Sequence, residues 1–353
     1  MAETNNPLAQ GSTGAPEVSR VALTIAGLKV DVYGLAELPA TAEKVTNLWL
    51  HHPRLRRKED MASIANQVLS AYHQKQSPTR GLIAVAFDQR NHGSRLVDEL
   101  ANEAWRSGNK THAQDMFGTI IGCVSDTVNL LDLLEGYLFD FGFGSNALPD
   151  GGKRHIDQNL VLGVSLGGHT AWQLLFADPR VTAGVMVIGC PDYGSMMKDR
   201  ARLSRLQTFS ASDNGASFLG SKDFPDALID ACNKYDPKSI LFGNRGEVIP
   251  PSSAEEQERL SSLLDEKISG KRFQVLSGGA DKLVPYSAGE PFLKFFKGAA
   301  DGWYRDGHIY VEDKVYPGVG HAFNDEMRSE AVRFILDTIA LADGEKETVA
   351  PKI

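Results

Sequence analysis

The sequence is poor in cysteine: Cys123, Cys190 and Cys232 are the only three in 353 residues. An odd, sparse and widely spaced set is not a disulfide framework. Cys123 and Cys190 fall in apolar segments and read as buried thiols, so a reducing, cytoplasmic setting is expected. The chain has no excess of positive charge. Its 37 basic and 45 acidic residues leave a net charge of -8, which argues against nucleic acid as the main partner. The basic cluster Arg54-Leu55-Arg56-Arg57-Lys58 runs straight into Glu59 and Asp60 and reads as a solvated loop entering a helix. No stretch approaches the roughly 20 apolar residues of a membrane span. Residues 1–18 have no apolar signal-peptide core. Histidine and cysteine show no metal-ligand spacing, and the Gly-rich turns lack the setting of a dinucleotide fingerprint. Neither a metal nor another cofactor is expected.

What is present is the composition of an ordinary globular protein, long enough for one large domain or two smaller ones. Residues 1–18, rich in Asn, Gly, Thr and Pro, read as a disordered tail. Residues 21–35 alternate apolar with polar around Gly27 and predict two short antiparallel strands. Further strands are expected at 44–50, 81–87, 159–162, 181–188, 272–277 and 308–316. Helical faces appear at Met61 to Tyr72, Phe117 to Leu131, His169 to Phe176, Tyr286 to Phe296 and Met327 to Thr338. Strands alternating with helices predict an α/β fold, a mostly parallel sheet covered on both faces. Such sheets carry their sites beyond the carboxyl ends of the strands.

The rhythm breaks between Pro191 and Lys271. That segment is polar and helical in pattern, with Leu260, Leu263, Leu264 and Ile268 at helical spacing. It is too long for a structureless loop inside a compact domain. The expected organisation is therefore a core over 19–190 and 272–342, a helical cap over 191–271 and a C-terminal tail over 343–353. The closing Pro351-Lys352-Ile353 loosely resembles a peroxisomal address, the alternative being a frayed end.

One pentapeptide stands out: Gly163-Val164-Ser165-Leu166-Gly167, directly after the apolar run Asn159-Leu160-Val161-Leu162. A G-x-S-x-G between a strand and a helix makes a sharp turn that holds the serine hydroxyl clear of the sheet edge. A serine hydroxyl needs a base and a group to orient that base. His321 follows the turn-rich Tyr316-Pro317-Gly318-Val319-Gly320 and precedes the last helix, which puts it at the same edge. His169 is expected to face away; His73, His112 and His155 read as surface residues and His308 as the opening of a strand. For the orienting acid, Asp281 in Gly278-Gly279-Ala280-Asp281-Lys282-Leu283-Val284-Pro285 is favoured over Asp192, which follows the preceding strand.

Those three segments, in the order serine, acid, histidine, resemble the alpha/beta-hydrolase superfamily. Phe87-Asp88-Gln89-Arg90-Asn91-His92-Gly93 is similar to that superfamily's D-x-R-x-H-G loop. The resemblance covers most of residues 20–342 and is weakest in the cap. It implies an eight-stranded, mostly parallel sheet with helices on both faces, a cap insertion and a serine hydrolase activity. It implies no substrate. Asp88, Arg90 and His92 read as structural, because polar groups in a buried loop must bond one another. In this fold the oxyanion is held by the amide after the nucleophile, here Leu166, and by an amide from the loop Leu50-His51-His52-Pro53-Arg54. Pro53 has no N–H, so the register that keeps a donor assigns Arg54. Its side chain would then stand near the mouth of the site, within reach of an anionic substrate group.

The expected function is hydrolysis of a small carboxylic ester, thioester or lactone, with Ser165, His321 and Asp281 as the triad and Leu166 and Arg54 as oxyanion donors. Acyl transfer remains an alternative. So does peptide cleavage, which usually calls for a larger accessory domain. A ligand receptor with little turnover on the same fold is the rival of a different class. Oligomeric state is left open.

Overall fold

A computed structural model describes residues 6–9, 14–74, 79–141, 148 and 152–344. Pro351-Lys352-Ile353 lies outside the described residues. The chain begins with a hairpin, β1 (Arg20–Ile25) and β2 (Leu28–Tyr33). Its two-residue turn, Ala26 and Gly27, has φ of 47° and 82°, the double positive φ that a tight hairpin of right-handed twist requires. Then follow β3 (Lys44–His51), α1 (Ala62–His73), β4 (Gly81–Phe87), α2 (His112–Glu135), β5 (His155–Val164), α3 (Leu166–Ala177) and β6 (Val181–Val187). Helices α4 (Tyr193–Ser204), α5 (Asp226–Tyr235), α6 (Pro237–Phe242) and α7 (Ala254–Ile268) separate β6 from β7 (Arg272–Gly278). Helix α8 (Tyr286–Asp301), β8 (Tyr310–Tyr316) and α9 (Asp325–Ala342) close the described fold.

The strands form one eight-stranded sheet in the order β1-β2-β4-β3-β5-β6-β7-β8. Only β1 with β2 and β2 with β4 run antiparallel; from β4 to β8 every pairing is parallel. The residues of β4 explain why. Ile83, Val85 and Phe87 enter one apolar cluster and Leu82, Ala84 and Ala86 the other. A strand apolar on both pleats must be covered on both, and α2, α3 and α8 take one face while α1 and α9 take the other.

The insertion between β6 and β7 divides in two. Tyr193, Met196, Met197, Leu228 and Ile229 of α4 and α5 pack with Leu166, at the carboxyl end of the sheet. Leu260, Leu264 and Ile268 of α7 instead join the large cluster of Trp172, Phe176 and Phe273 on the sheet flank. Within this insertion α7 carries the apolar stripe of a layer helix, and that stripe docks it on the flank while α4 and α5 lie over the carboxyl end of the sheet.

Three local expectations change. Residues 6–9, expected within an unstructured tail over 1–18, lie against the end of the fold, where Pro7 O accepts the Phe323 N–H at 2.8 Å. Lys58 is buried, not solvated, with its Nζ 2.6 Å from both Asp31 and Glu59. His112–Asp140, running through α2 into a wider last turn, spans 29 residues and contains an 18-residue window of mean hydropathy 1.4. By length and composition it meets the test for a membrane span that no stretch of the sequence was expected to approach. It packs on α3 with Ile120, Cys123, Leu130 and Leu134 buried, as a core helix does.

If α7 is a layer helix, Leu264→Ala costs about 2–5 kcal/mol, the usual range for a fully buried leucine. Urea unfolding measures it; a loss below about 1 kcal/mol would place α7 outside the core.

Candidate active site

Ser165 sits between β5 and α3 at φ 56° and ψ -110°, a backbone region a side-chain-bearing residue rarely enters. The neighbouring glycines permit it. A Cβ on Gly163 would collide with the Gly167 carbonyl, and one on Gly167 with the backbone of His51. One on Gly168 would come within 2.8 Å of Val187 O. The Ser165 N–H donates to Val187 O at 2.9 Å, which pins the turn to the end of β6.

The loops after β7 and β8 are tied to each other. Gly279 N–H donates to Tyr316 O and Ala280 N–H to Val319 O, both at 2.8 Å. This brings Asp281 to His321. Ser165 Oγ lies 2.8 Å from His321 Nε2, and His321 Nδ1 lies 2.7 Å from Asp281 Oδ2. Because a carboxylate oxygen accepts, Nδ1 carries the proton and Nε2 is left to accept from the serine. The second carboxylate oxygen, Oδ1, accepts the N–H groups of Leu283 at 2.8 Å and Val284 at 3.0 Å. The Asp281 side chain is wholly buried and that of His321 is 12% exposed; Ser165 is 9% exposed. The constellation is thus nearly closed to solvent.

Asp192, the competing acid, makes no such contact. It caps α4 by accepting the Ser195 N–H at 2.9 Å. Asp88 accepts the N–H groups of Lys58 and Ser94 at 2.9 and 2.8 Å. Arg90 pairs with Asp126 of α2 at 3.0 Å, and the His92 ring donates to Arg90 O at 2.9 Å, so this loop is tied both to itself and to its neighbours. The Leu166 and Arg54 amides have no acceptor among the described residues. His52, beside Arg54, donates from Nδ1 to Pro53 O at 2.8 Å and accepts the Gln89 N–H at Nε2, 3.0 Å away. Those two bonds fix the course of the loop that carries Arg54.

Two residues near the site escaped the sequence reading. His112, expected at the surface, is fully buried, and its Nδ1 donates to Glu103 O at 2.8 Å. Its Nε2 accepts from Arg200 Nη1 at 3.0 Å. Arg200 had no motif to mark it; only the fold brings α4 over the Asp281 loop. Burial holds the buried imidazoles neutral: His51 and His169 are pushed down to about 3 and His52 and His92 to about 4. His112 is lowered well below its ordinary value by burial and by Arg200 and Arg54. No group of three or more His, Cys, Asp or Glu that could hold a metal occurs among the described residues.

No family model and no curated protein matches the chain. Solved structures do. The crystal structure of TT1662 from Thermus thermophilus aligns with a TM-score of 0.53 at 18% identity, over 91% of this chain and 97% of that one. The crystal structure of puromycin hydrolase aligns with a TM-score of 0.50 at 14% identity, over 95% of this chain but 40% of that one. This chain therefore spans less than half the length of that hydrolase. At these identities the likeness is one of fold, and the fold is that of the alpha/beta hydrolases.

Two outcomes are expected. Asp281→Asn slows fluorophosphonate labelling of Ser165 by about 10³–10⁴-fold, since the amide cannot hold the imidazole in the required tautomer; Asp192→Asn leaves the rate within a few-fold. A larger loss for Asp192→Asn than for Asp281→Asn in mass-spectrometric labelling assays would reverse the choice of acid. The second outcome concerns pH. The five buried neutral histidines bind no proton when folded but do so unfolded below about pH 6.5. Stability is thus full above that pH and falls on acidification, by about 1.4 kcal/mol per unit per histidine. The Asp236 carboxyl, pushed up to about 7 by burial and Asp192, acts in the opposite sense between about pH 4 and 7, but is outnumbered. Urea unfolding at pH 7.0 and 5.5 should show a steep loss, shallower in His169→Gln; a flat profile would contradict the assignment.

Proposed function

We propose that this chain is a serine hydrolase that cleaves a carboxylic ester, thioester or lactone through an acyl-enzyme intermediate. One observation carries the reading: the unbroken hydrogen-bonded relay from Ser165 Oγ through the His321 ring to Asp281, in distances of 2.8 and 2.7 Å. A hydroxyl, an imidazole and a buried carboxylate in that order make a poor nucleophile a good one.

Ser165 Oγ attacks the substrate carbonyl carbon and its proton passes to His321 Nε2. The carbonyl oxygen becomes an oxyanion, which accepts from the Leu166 and Arg54 amides. Each such donor lowers the barrier by about 2.7–4 kcal/mol. Collapse of the tetrahedral adduct breaks the bond to the leaving group, which takes the proton from Nε2. Water then attacks the Ser165 ester, gives its proton to Nε2, and the carboxylic acid departs as the proton returns to Oγ. Asp281 stays the acceptor of Nδ1–H throughout and stabilises the imidazolium that forms twice. Near-exclusion of solvent strengthens these interactions.

The test is a panel of p-nitrophenyl esters and lactones of graded size, with p-nitroanilides as the amide arm. Wild type should turn over at least one ester, and Ser165→Ala should lower kcat by about 10⁶-fold. A fluorophosphonate adduct should map to the Ser165 peptide. No turnover of any substrate together with no adduct would favour a ligand receptor on the same fold.

A further inference from the structure

Arg54 and Arg200 lie beside the loops of the proposed site, and among the described residues neither makes an ion pair with a carboxylate. Arg54, on the loop after β3, donates from its guanidinium to Asn102 O. Glu103 O, one residue on, accepts the His112 ring, and His112 in turn accepts from Arg200 Nη1. One short turn of backbone therefore anchors both cations. Arg200 Nη2 donates to Leu283 O at 3.0 Å. Its remaining close neighbours are the thioether sulfurs of Met116, 3.1 Å away, and Met196. Its Nε is buried without any acceptor.

Among the described residues every hydrogen-bond partner of the two guanidiniums is thus neutral. The acids within electrostatic range are engaged elsewhere or out of ion-pair reach. Asp199 is held by Arg202 at 2.5 Å. Asp281 spends its oxygens on His321, Leu283 and Val284. Glu103 makes no ion pair with Arg54 among the described residues. Burial and the charge of Arg200 push the Arg54 guanidinium down to about 10, so the two cations feel each other. Two partly buried like charges without a counter-ion are costly unless a ligand supplies one.

Position says which ligand. Leu166, the residue after Ser165, packs in the same cluster as Met116 and Met196, the two residues whose sulfurs touch Arg200. The Leu283–Val284 peptide accepts Arg200 at its carbonyl and donates to Asp281 at its N–H. Arg54 therefore belongs to the loop after β3 and Arg200 to α4, and Arg200 bonds the peptide that donates to Asp281 of the relay. A guanidinium is a planar fork suited to the two oxygens of a carboxylate.

We propose that Arg54 and Arg200 form a carboxylate-binding subsite next to Ser165, so that the preferred substrate is an ester or thioester bearing a free carboxylate a few bonds from the reacting carbonyl. This rests on the serine hydrolase reading above, and the experiment separates the two. Rates are compared for mono-p-nitrophenyl glutarate, which is anionic, and p-nitrophenyl butyrate, which is neutral. In wild type kcat/KM should favour the glutarate ester at least tenfold. Arg200→Gln should reduce that ratio at least tenfold, and Arg200→Lys, which keeps the charge, should fall between. A structural role alone would move both rates together and leave the ratio fixed. A wild-type ratio of one or less, or an unchanged ratio in both variants, overturns the subsite while butyrate turnover keeps the hydrolase standing. If no ester turns over and Ser165 takes no label, the hydrolase reading fails and calorimetry with free glutarate decides the subsite. Binding weakened at least tenfold in Arg200→Gln supports it, and equal binding overturns it. Inorganic phosphate binding more tightly than glutarate would overturn the carboxylate assignment.

Discussion

The arrangement depends on how closely three backbones approach at the end of the central strands. Gly163, Gly167, Gly168 and Gly189 let the start of α3 press against His51 and the end of β6 with no Cβ between them. That contact is what holds Ser165 at a positive φ. A strained residue of this kind costs about 1–3 kcal/mol and persists only where its surroundings over-determine it. Here they do. Helix α3 buries Trp172, Leu174, Leu175 and Phe176, and the Trp172 ring lies 5.7 Å from Phe273 and 6.0 Å from Phe292. Burial of side chains this large contributes about 1.5–3 kcal/mol each, enough in sum to exceed the strain several-fold.

The same steric logic made the centre of the protein legible in its sequence. Where a backbone must bend or approach closely, glycine is required, and required residues leave a pattern. The turn at Ser165, the Gly278-Gly279 loop before Asp281 and the Pro317-Gly318-Val319-Gly320 loop before His321 all carry that mark. The unbroken apolar run of β4 was equally visible, though only the structure shows its residues dividing between two clusters. Residues whose role comes from a distant partner left no mark. Lys58 looks like part of a charge run until Asp31, 27 positions away, is seen to receive it. His112 looks solvated until Glu103 O and Arg200 take both its nitrogens. For α7 periodicity reports that a face is apolar, not which surface it meets, so its seat on the sheet flank left no mark either.

Charge is distributed with a plain division of labour. Five histidines are buried, and desolvation keeps them neutral, so they serve as donors and acceptors that fix loops. His321 differs by place. It keeps some exposure, with an acid on one nitrogen and a hydroxyl on the other. Arg54 and Arg200 cannot shed their charge as an imidazole can. Retaining two of them beside a nearly closed site, hydrogen-bonded among the described residues to carbonyls, an imidazole and thioethers, leaves a positive field that no ion pair among those residues answers.

That field is coupled to the relay by a single peptide group. Between Leu283 and Val284, the carbonyl accepts from Arg200 and the N–H donates to Asp281 Oδ1. Hydrogen bonds in series polarise one another, so the cation on the carbonyl strengthens the donor facing the acid. An anion that drew Arg200 toward itself would weaken that donor and leave more charge on the carboxylate facing His321. The imidazolium formed as Ser165 attacks would then be better stabilised when the subsite is filled than when it is empty. Substrate selection and activation of the serine would share one contact, with no movement of the sheet required to connect them.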